Sequence, residues 1–290
     1  MLRNLNIINP IFTPSQLTWG GFFMEIFGYF AALLVGLTLG LMGAGGSILT
    51  VPILVYLFKI DAELSTAYSL FIVGITALIG ALPNMKRNTI NYKAAIIFFI
   101  PSLSAVYFTR TVILKAIPEI IFTIGDLVVT KDVALLLLFA IVMIIAATTM
   151  IRRRKTDDAK LNTDYKINIP MMVILGLAVG LLTGLIGAGG GFLIIPALVV
   201  FARLPMKTAI GTSLLIIAIN SMVGFIGDVE ARPFIDVQFM LIFSAITIVG
   251  ILFGSWLSNF VQGAKLKGAF GWFVLGMGIL IIMEELFLEL

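Results

Sequence analysis

The residues best placed to do chemistry are glycines with a few hydroxyls beside them. Gly180 to Pro196 reads GLLTGLIGAGGGFLIIP, six glycines in an otherwise almost wholly apolar stretch, and Gly36 to Pro52 reads GLTLGLMGAGGSILTVP. At a constant offset of 144 residues, 10 of the 17 paired positions are identical. Consecutive glycines let backbone approach a ligand closely and take positive φ. In a bilayer, such loosened backbone is tolerated only where protein buries it or a cavity lies alongside. Each cluster opens a short helix, whose free N–H groups and positive dipole end suit an anion without any lysine or arginine. The candidate substrate-binding residues at the breaks are Gly43, Gly45, Gly46 and Ser47 in the first copy, and Gly187, Gly189, Gly190 and Gly191 in the second. Pro52 and Pro196 fall inside the short helices and deny a donor to the carbonyls of Ile48 and Phe192.

A second matched pair supplies hydroxyls. Tyr68-Ser69 aligns with Thr212-Ser213 at the same offset, and Ser69, Thr212 and Ser213 are candidate donors to a bound oxyanion. The competing reading is a helical hydroxyl bonded to its own backbone. Asn220 aligns with Thr76 and is an amide well inside an apolar span, so it needs a partner, either a neighbouring helix or the substrate. Asn84 and Asp228, at segment ends, read as caps or interface residues. Glycines at GxxxG spacing (Gly36 and Gly40; Gly176, Gly180 and Gly184) read as helix-packing residues instead. A cavity is the reading kept for the glycine runs, since packing alone needs no such run.

These residues must be held by membrane helices. The chain of 290 residues is 60% hydrophobic and 12% charged, with a mean hydropathy of +1.14; soluble domains carry about a quarter charged residues. Apolar runs approach or exceed the roughly 20 residues needed to span as helix, and alternating ten-residue strands are absent. The expected fold class is therefore an all-α polytopic membrane protein. Its segments are Phe22–Met42, Ile48–Phe58, Leu64–Met85, Ala94–Leu114 and Val133–Ile151, then Ile169–Ile186, Gly191–Ala202, Met206–Ile226, Val237–Phe260 and Gly268–Leu288. The second and seventh are too short to span; 11 residues of helix reach roughly 16 Å. Lys115 to Asp132 is expected to be a loop with a short interfacial helix. Residues 1–20 are too polar and proline-broken for a cleavable signal peptide, which leaves insertion to the first membrane helix.

The division is residues 1–151 for the N-terminal transmembrane repeat, 152–168 for a cytoplasmic linker and 169–290 for the C-terminal repeat. Five segments per repeat, an odd number, place the halves in opposite orientation. With the linker in the cytoplasm, the inner loops hold Lys86, Arg87, Lys93, Arg203, Lys207, Lys265 and Lys267 besides six basic residues of the linker, 13 of the 19 Lys and Arg. Both termini then lie outside, in keeping with the positive-inside rule. Inverted repeats with a midplane site are a common plan of secondary transporters.

Absent residue types exclude whole classes. With no cysteine and no histidine, disulfides, thiol nucleophiles, histidine-ligated haem and the usual zinc sites are out. No Walker motif, paired acid or nucleophile–base pair is present, so neither an ATPase nor an enzyme is expected, no cofactor is called for, and no nucleic-acid partner. No Asp, Glu, Lys or Arg falls at the centre of a segment.

The doubled G-x3-G-x2-G-A-G-G-(G/S)-x4-P motif, each copy followed by Ser69 or Ser213, resembles the sulfite exporter TauE/SafE family over nearly the whole chain. The first copy departs from the second, with Ser47 where Gly191 stands, and the Lys115–Asp132 connection is longer than is typical. The resemblance implies a multi-pass cell-membrane exporter of small anions, often sulfur-containing ones such as sulfite, sulfoacetate or related organosulfonates, with protons as the coupling ion. The partners are then the lipid bilayer, the anionic substrate and protons. A passive anion channel or facilitator is the alternative, which the lack of a midplane carboxylate supports.

Overall fold

The computed structural model describes residues 19–43, 45–60, 62–113, 116–118, 120–124, 127–152, 169–186, 191–229 and 236–287. The first repeat consists of α1 (Trp19–Met42), α2 (Gly45–Pro52), α3 (Ala62–Lys86), α4 (Tyr92–Phe108) and α5 (Lys131–Arg152). The second consists of α6 (Ile169–Ile186), α7 (Gly191–Pro196), α8 (Met206–Val229), α9 (Val237–Leu257) and α10 (Gly263–Phe287). Among the described residues, five helices are long and apolar enough to cross a membrane: Leu64–Lys86, Tyr92–Ile113, Met206–Ile226, Val237–Leu257 and Gly263–Met283. Shorter apolar helices cover Ile26–Met42, Gly46–Leu57, Ala140–Ile151 and Ile169–Leu185. Apart from Arg152, at the end of α5, the linker lies outside the described residues.

The connection before α5 differs from expectation. It carries a β-hairpin, β1 (Ile120–Ile124) antiparallel to β2 (Leu127–Thr130), with Ile124 opposite Leu127. Its strands, IIFTI and LVVT, are built of β-branched and aromatic residues that fit a pleated surface better than a helix.

The short helices repeat in detail. After 8 α-helical residues, α2 passes at Pro52 into 5 residues of π-helix, Ile53–Leu57. After 6, α7 passes at Pro196 into 5 more, Ala197–Phe201. Proline ends the i→i−4 ladder, and the wider turn takes over from the next residue in both copies. Phe58 N–H then donates to the Ile53 carbonyl at 3.3 Å, and Ala202 N–H to that of Ala197 at 3.1 Å. Ile60 N–H reaches Leu54 at 3.1 Å and Leu204 N–H reaches Leu198 at 3.0 Å. Lys59 and Arg203, again 144 apart, both take φ of 55°. Duplication of sequence has therefore produced duplication of backbone, down to a left-handed residue at each exit.

The repeats pack by exchange. The first helix of each lies on the fourth helix of the other, α1 on α9 and α6 on α4, while α3 packs on α8 and α5 on α10. Glycines make both first-to-fourth contacts. A Cβ on Gly36 or Gly40 would strike the backbone of Thr247 or Ile251, and one on Gly250 or Gly254 that of Leu33 or Leu37. Across the other pair, Gly176 and Gly180 face the Phe98 and Ser102 carbonyls and Gly184 faces Thr109. These GxxxG glycines are packing residues, as their spacing suggests: without side chains the backbones reach van der Waals contact, the main attraction between helices in lipid. The outer surface is apolar, with Phe27, Tyr107, Phe260 and Trp272 all more than 60% exposed.

Candidate functional site

The candidate site lies along one face of α8. Ile210, Ser213, Ile217 and Asn220 recur at helical spacing, so all four point the same way. At Gly43 the chain leaves α1 with φ of +78°, a conformation that favours glycine. A Cβ there would lie 2.9 Å from both Ile210 Cα and Ser213 Oγ, so the first break rests directly on α8. One turn along, a Cβ on Gly191 would lie 2.6 Å from Ile217 Cδ1 and 3.0 Å from Ser47 Oγ. The start of α7 therefore adjoins the first turn of α2. Two short helices from different repeats bring their N-terminal ends together beside Ser213, all buried.

The expected residues divide as follows. Gly43, Ser47, Gly191 and Ser213 converge. Gly45 begins α2. Gly46 packs that helix onto α1, since a Cβ there would strike the Val35 carbonyl and lie 2.9 Å from Leu39 Cβ. Ser69 is buried at 2% exposure on α3. Gly187, Gly189 and Gly190 lie outside the described residues. Ser213 Oγ donates to the Ile210 carbonyl at 2.9 Å, the local helical bond that competes with a ligand, so its one O–H reaches an anion only by leaving that carbonyl.

Thr212 is engaged between the repeats. Its Oγ1 accepts from the Asn91 backbone N–H at 3.0 Å, and Asn91 in turn caps α4 by accepting from Ala94 N–H at 2.9 Å. The other repeat does the same: Tyr68, which aligns with Thr212, accepts from the Asp236 N–H at 2.8 Å, and Asp236 caps α9 through Phe239 N–H at 2.9 Å. Both are clasps fixing the start of a fourth helix onto a third helix of the opposite repeat. Asn91 and Asp236 went unnoticed in the sequence, although an Asn or Asp just before an apolar run is an N-cap signal.

Deeper in the bundle, Thr76 Oγ1 and Thr247 Oγ1 meet at 2.7 Å, and Asn220 Nδ2 donates to Ser102 Oγ at 3.4 Å. Thr247 and Ser102 are the sites where the fourth helices are most closely approached by Gly36 and Gly180. Among the described residues, the buried polar side chains are Ser, Thr and Asn together with the phenol of Tyr68, and no group of His, Cys, Asp and Glu there is able to hold a metal ion. Among the described residues beside Ser213, helix ends and hydroxyl dipoles are therefore what could offer an anion positive potential. The dipole part is worth roughly 0.3–2 kcal/mol per helix end.

Comparison with known proteins finds similarity along most of the chain. The family model described as "Sulfite exporter TauE/SafE" matches residues 29–281. The chain is 30% identical over 201 residues to "Probable membrane transporter protein YunE" of Bacillus subtilis, covering 66% of this chain and 73% of that one. It is 28% identical over 255 residues to a "Probable membrane transporter protein" of Xylella fastidiosa, covering 87% and 92%. "Probable membrane transporter protein YdhB" of Bacillus subtilis matches at 26% over 240 residues, 81% and 91% of the two chains. No solved structure matches the chain.

Proposed function

The chain belongs to the sulfite exporter TauE/SafE family of membrane transporters, and on that premise we propose that it is a secondary transporter exporting small anions, sulfite and organosulfonates foremost, across the cell membrane. The observation that carries this reading is the meeting of the starts of the two short helices, with Gly43, Ser47, Gly191 and Ser213 in one buried neighbourhood and no buried cation among the described residues. An oxyanion there would be held by backbone N–H groups and hydroxyls, charge-assisted bonds worth about 1.5–3 kcal/mol each. Nothing with a full charge has to be desolvated on the protein side, so affinity is modest and release easy.

The exchange of first and fourth helices between repeats supports an in-plane pseudo-two-fold, and the basic residues of the alternate loops support both termini outside and the linker in the cytoplasm. Alternating access then follows from rocking one repeat against the other about the breaks. A passive facilitator is the second reading, favoured by the absence of buried carboxylates among the described residues, since proton coupling commonly uses one. The test is a thermal-stability screen of purified protein against sulfite, sulfonates and carboxylates. Stabilisation by a subset of small oxyanions supports the anion site. A melting temperature indifferent to all of them at millimolar concentration speaks against it.

A further inference from the structure

The two halves place a polar pair at equivalent depth, and only one pair is closed. Thr76 on α3 aligns with Asn220 on α8 at an offset of 144. Thr247 on α9 corresponds to Ser102 on α4 at 145, the offset that also relates the caps Asp236 and Asn91. In the first pair, Thr247 Oγ1 donates to the Ser244 carbonyl at 2.9 Å, so Thr76 is the donor in the 2.7 Å hydroxyl contact and the chain of bonds ends on backbone. In the second pair the bond from Asn220 Nδ2 to Ser102 Oγ stretches to 3.4 Å. The Asn220 carbonyl oxygen is buried and makes no hydrogen bond among the described residues. The residue is 7% exposed. A buried polar atom left unbonded is costly and calls for a partner. An amide offers two donors and an acceptor, more than one serine hydroxyl satisfies.

Asn220 stands on the α8 face that carries Ile210, Ser213 and Ile217, one turn beyond the residue that meets Gly191. We propose that Asn220 is a specificity-determining residue of the anion site, its free carbonyl oxygen accepting a hydrogen bond from a donor on the transported anion. The ligand class is therefore narrower than small oxyanions in general: an anion that also carries a hydroxyl, an ammonium or an acid proton. Ser102 sets the amide by holding its other end. The proposal rests on the anion reading above, and it makes the two halves unequal, with the first closed on itself and the second completed by substrate.

The experiment uses the full chain reconstituted in liposomes, and probe pairs that differ by one hydroxyl: 2-hydroxyethanesulfonate against ethanesulfonate, and glycolate against acetate. The wild type is expected to show a KM about tenfold lower for the hydroxylated member, the value of one ordinary hydrogen bond. In Asn220→Leu, and in Asn220→Thr, which installs the residue of the closed half, the KM ratio within each probe pair shrinks to within about twofold, whatever the change in rate common to both members. A merely structural bond would change both probes alike. Anion transport by the wild type without hydroxyl preference overturns this proposal and leaves the anion site standing, as does a preference that survives Asn220→Thr. Failure of the wild type to move these probes while labelled sulfite is transported overturns this proposal and leaves the anion site standing; failure to move sulfite as well removes the anion reading and this proposal with it. Should Asn220→Leu fail to fold, Asn220→Thr carries the comparison, and the wild-type preference needs no variant at all.

Discussion

Gly43→Ala puts a single methyl group where the first break touches α8. The backbone there has φ of +78°, and the left-handed region costs an L-residue about 1–2 kcal/mol. The new Cβ would lie 2.9 Å from Ile210 Cα, a backbone atom, and 3.0 Å from Ile210 Cγ2, against roughly 3.5–4.0 Å for relaxed carbon contacts. Overpacking of this kind adds about 1–3 kcal/mol, so the variant is expected to lose about 2–5 kcal/mol in all. The same methyl lies 2.9 Å from Ser213 Oγ, inside the proposed site, so anion flux per folded molecule should fall further than stability explains. Thermal or denaturant unfolding of purified protein gives the first quantity, and flux normalised to folded protein in liposomes gives the second. Ile210→Ala removes the Cγ2 contact and leaves Cα, so it should rescue the variant only in part. Unfolding within about 0.5 kcal/mol of wild type, the range of an ordinary surface change, would refute the packing argument. A folded fraction that transports at the wild-type rate would refute the site.

The other predictions follow the same geometry. Thr212→Val and Tyr68→Phe each strand a backbone N–H, of Asn91 and Asp236, and should cost about 1–3 kcal/mol of stability with KM unchanged; a raised KM at full stability in Thr212→Val would return Thr212 to the ligand site. Gly254→Leu drives a side chain into the Leu37 backbone and should prevent α1 and α9 from packing, seen as loss of folded protein in detergent, whereas Gly276→Ala, with nothing within 4 Å of its Cβ, should be neutral or stabilising by up to about 1 kcal/mol. A cysteine placed at Asp158 in this cysteine-free chain should resist an impermeant thiol reagent in intact cells and react after permeabilisation; labelling in intact cells would reverse the proposed topology.

Much of this architecture was legible because the two copies still share their break residues. The short helices, their prolines and the packing role of Gly36, Gly40, Gly176, Gly180 and Gly184 all follow from spacing and the bilayer's demand for internal hydrogen bonding. The pairs that cross between repeats were harder to see. Thr76 and Asn220 align at 144, but their partners Thr247 and Ser102 align at 145, so a comparison at one constant offset loses register before the fourth helix. Thr212 looked like a ligand because a buried hydroxyl near a helix start has two uses, and only the position of Asn91 decides between them. The hairpin before α5 escaped notice because two strands of 5 and 4 residues are too short for periodicity to separate from a loop. The π-turns are invisible to apolar patterning, although Pro52 and Pro196 mark where they begin.

The central claim is that a small anion crosses through the meeting point of the two breaks, driven by a gradient. Its most direct test is flux of labelled sulfite through the reconstituted full chain, with and without an imposed pH gradient and with the membrane potential clamped. Saturable flux that the pH gradient accelerates, and that Gly43→Ala lowers per folded molecule, is the predicted result. Flux that is saturable yet indifferent to the gradient would replace the transporter with a facilitator. No flux of sulfite, sulfonates or carboxylates above protein-free liposomes would contradict the account.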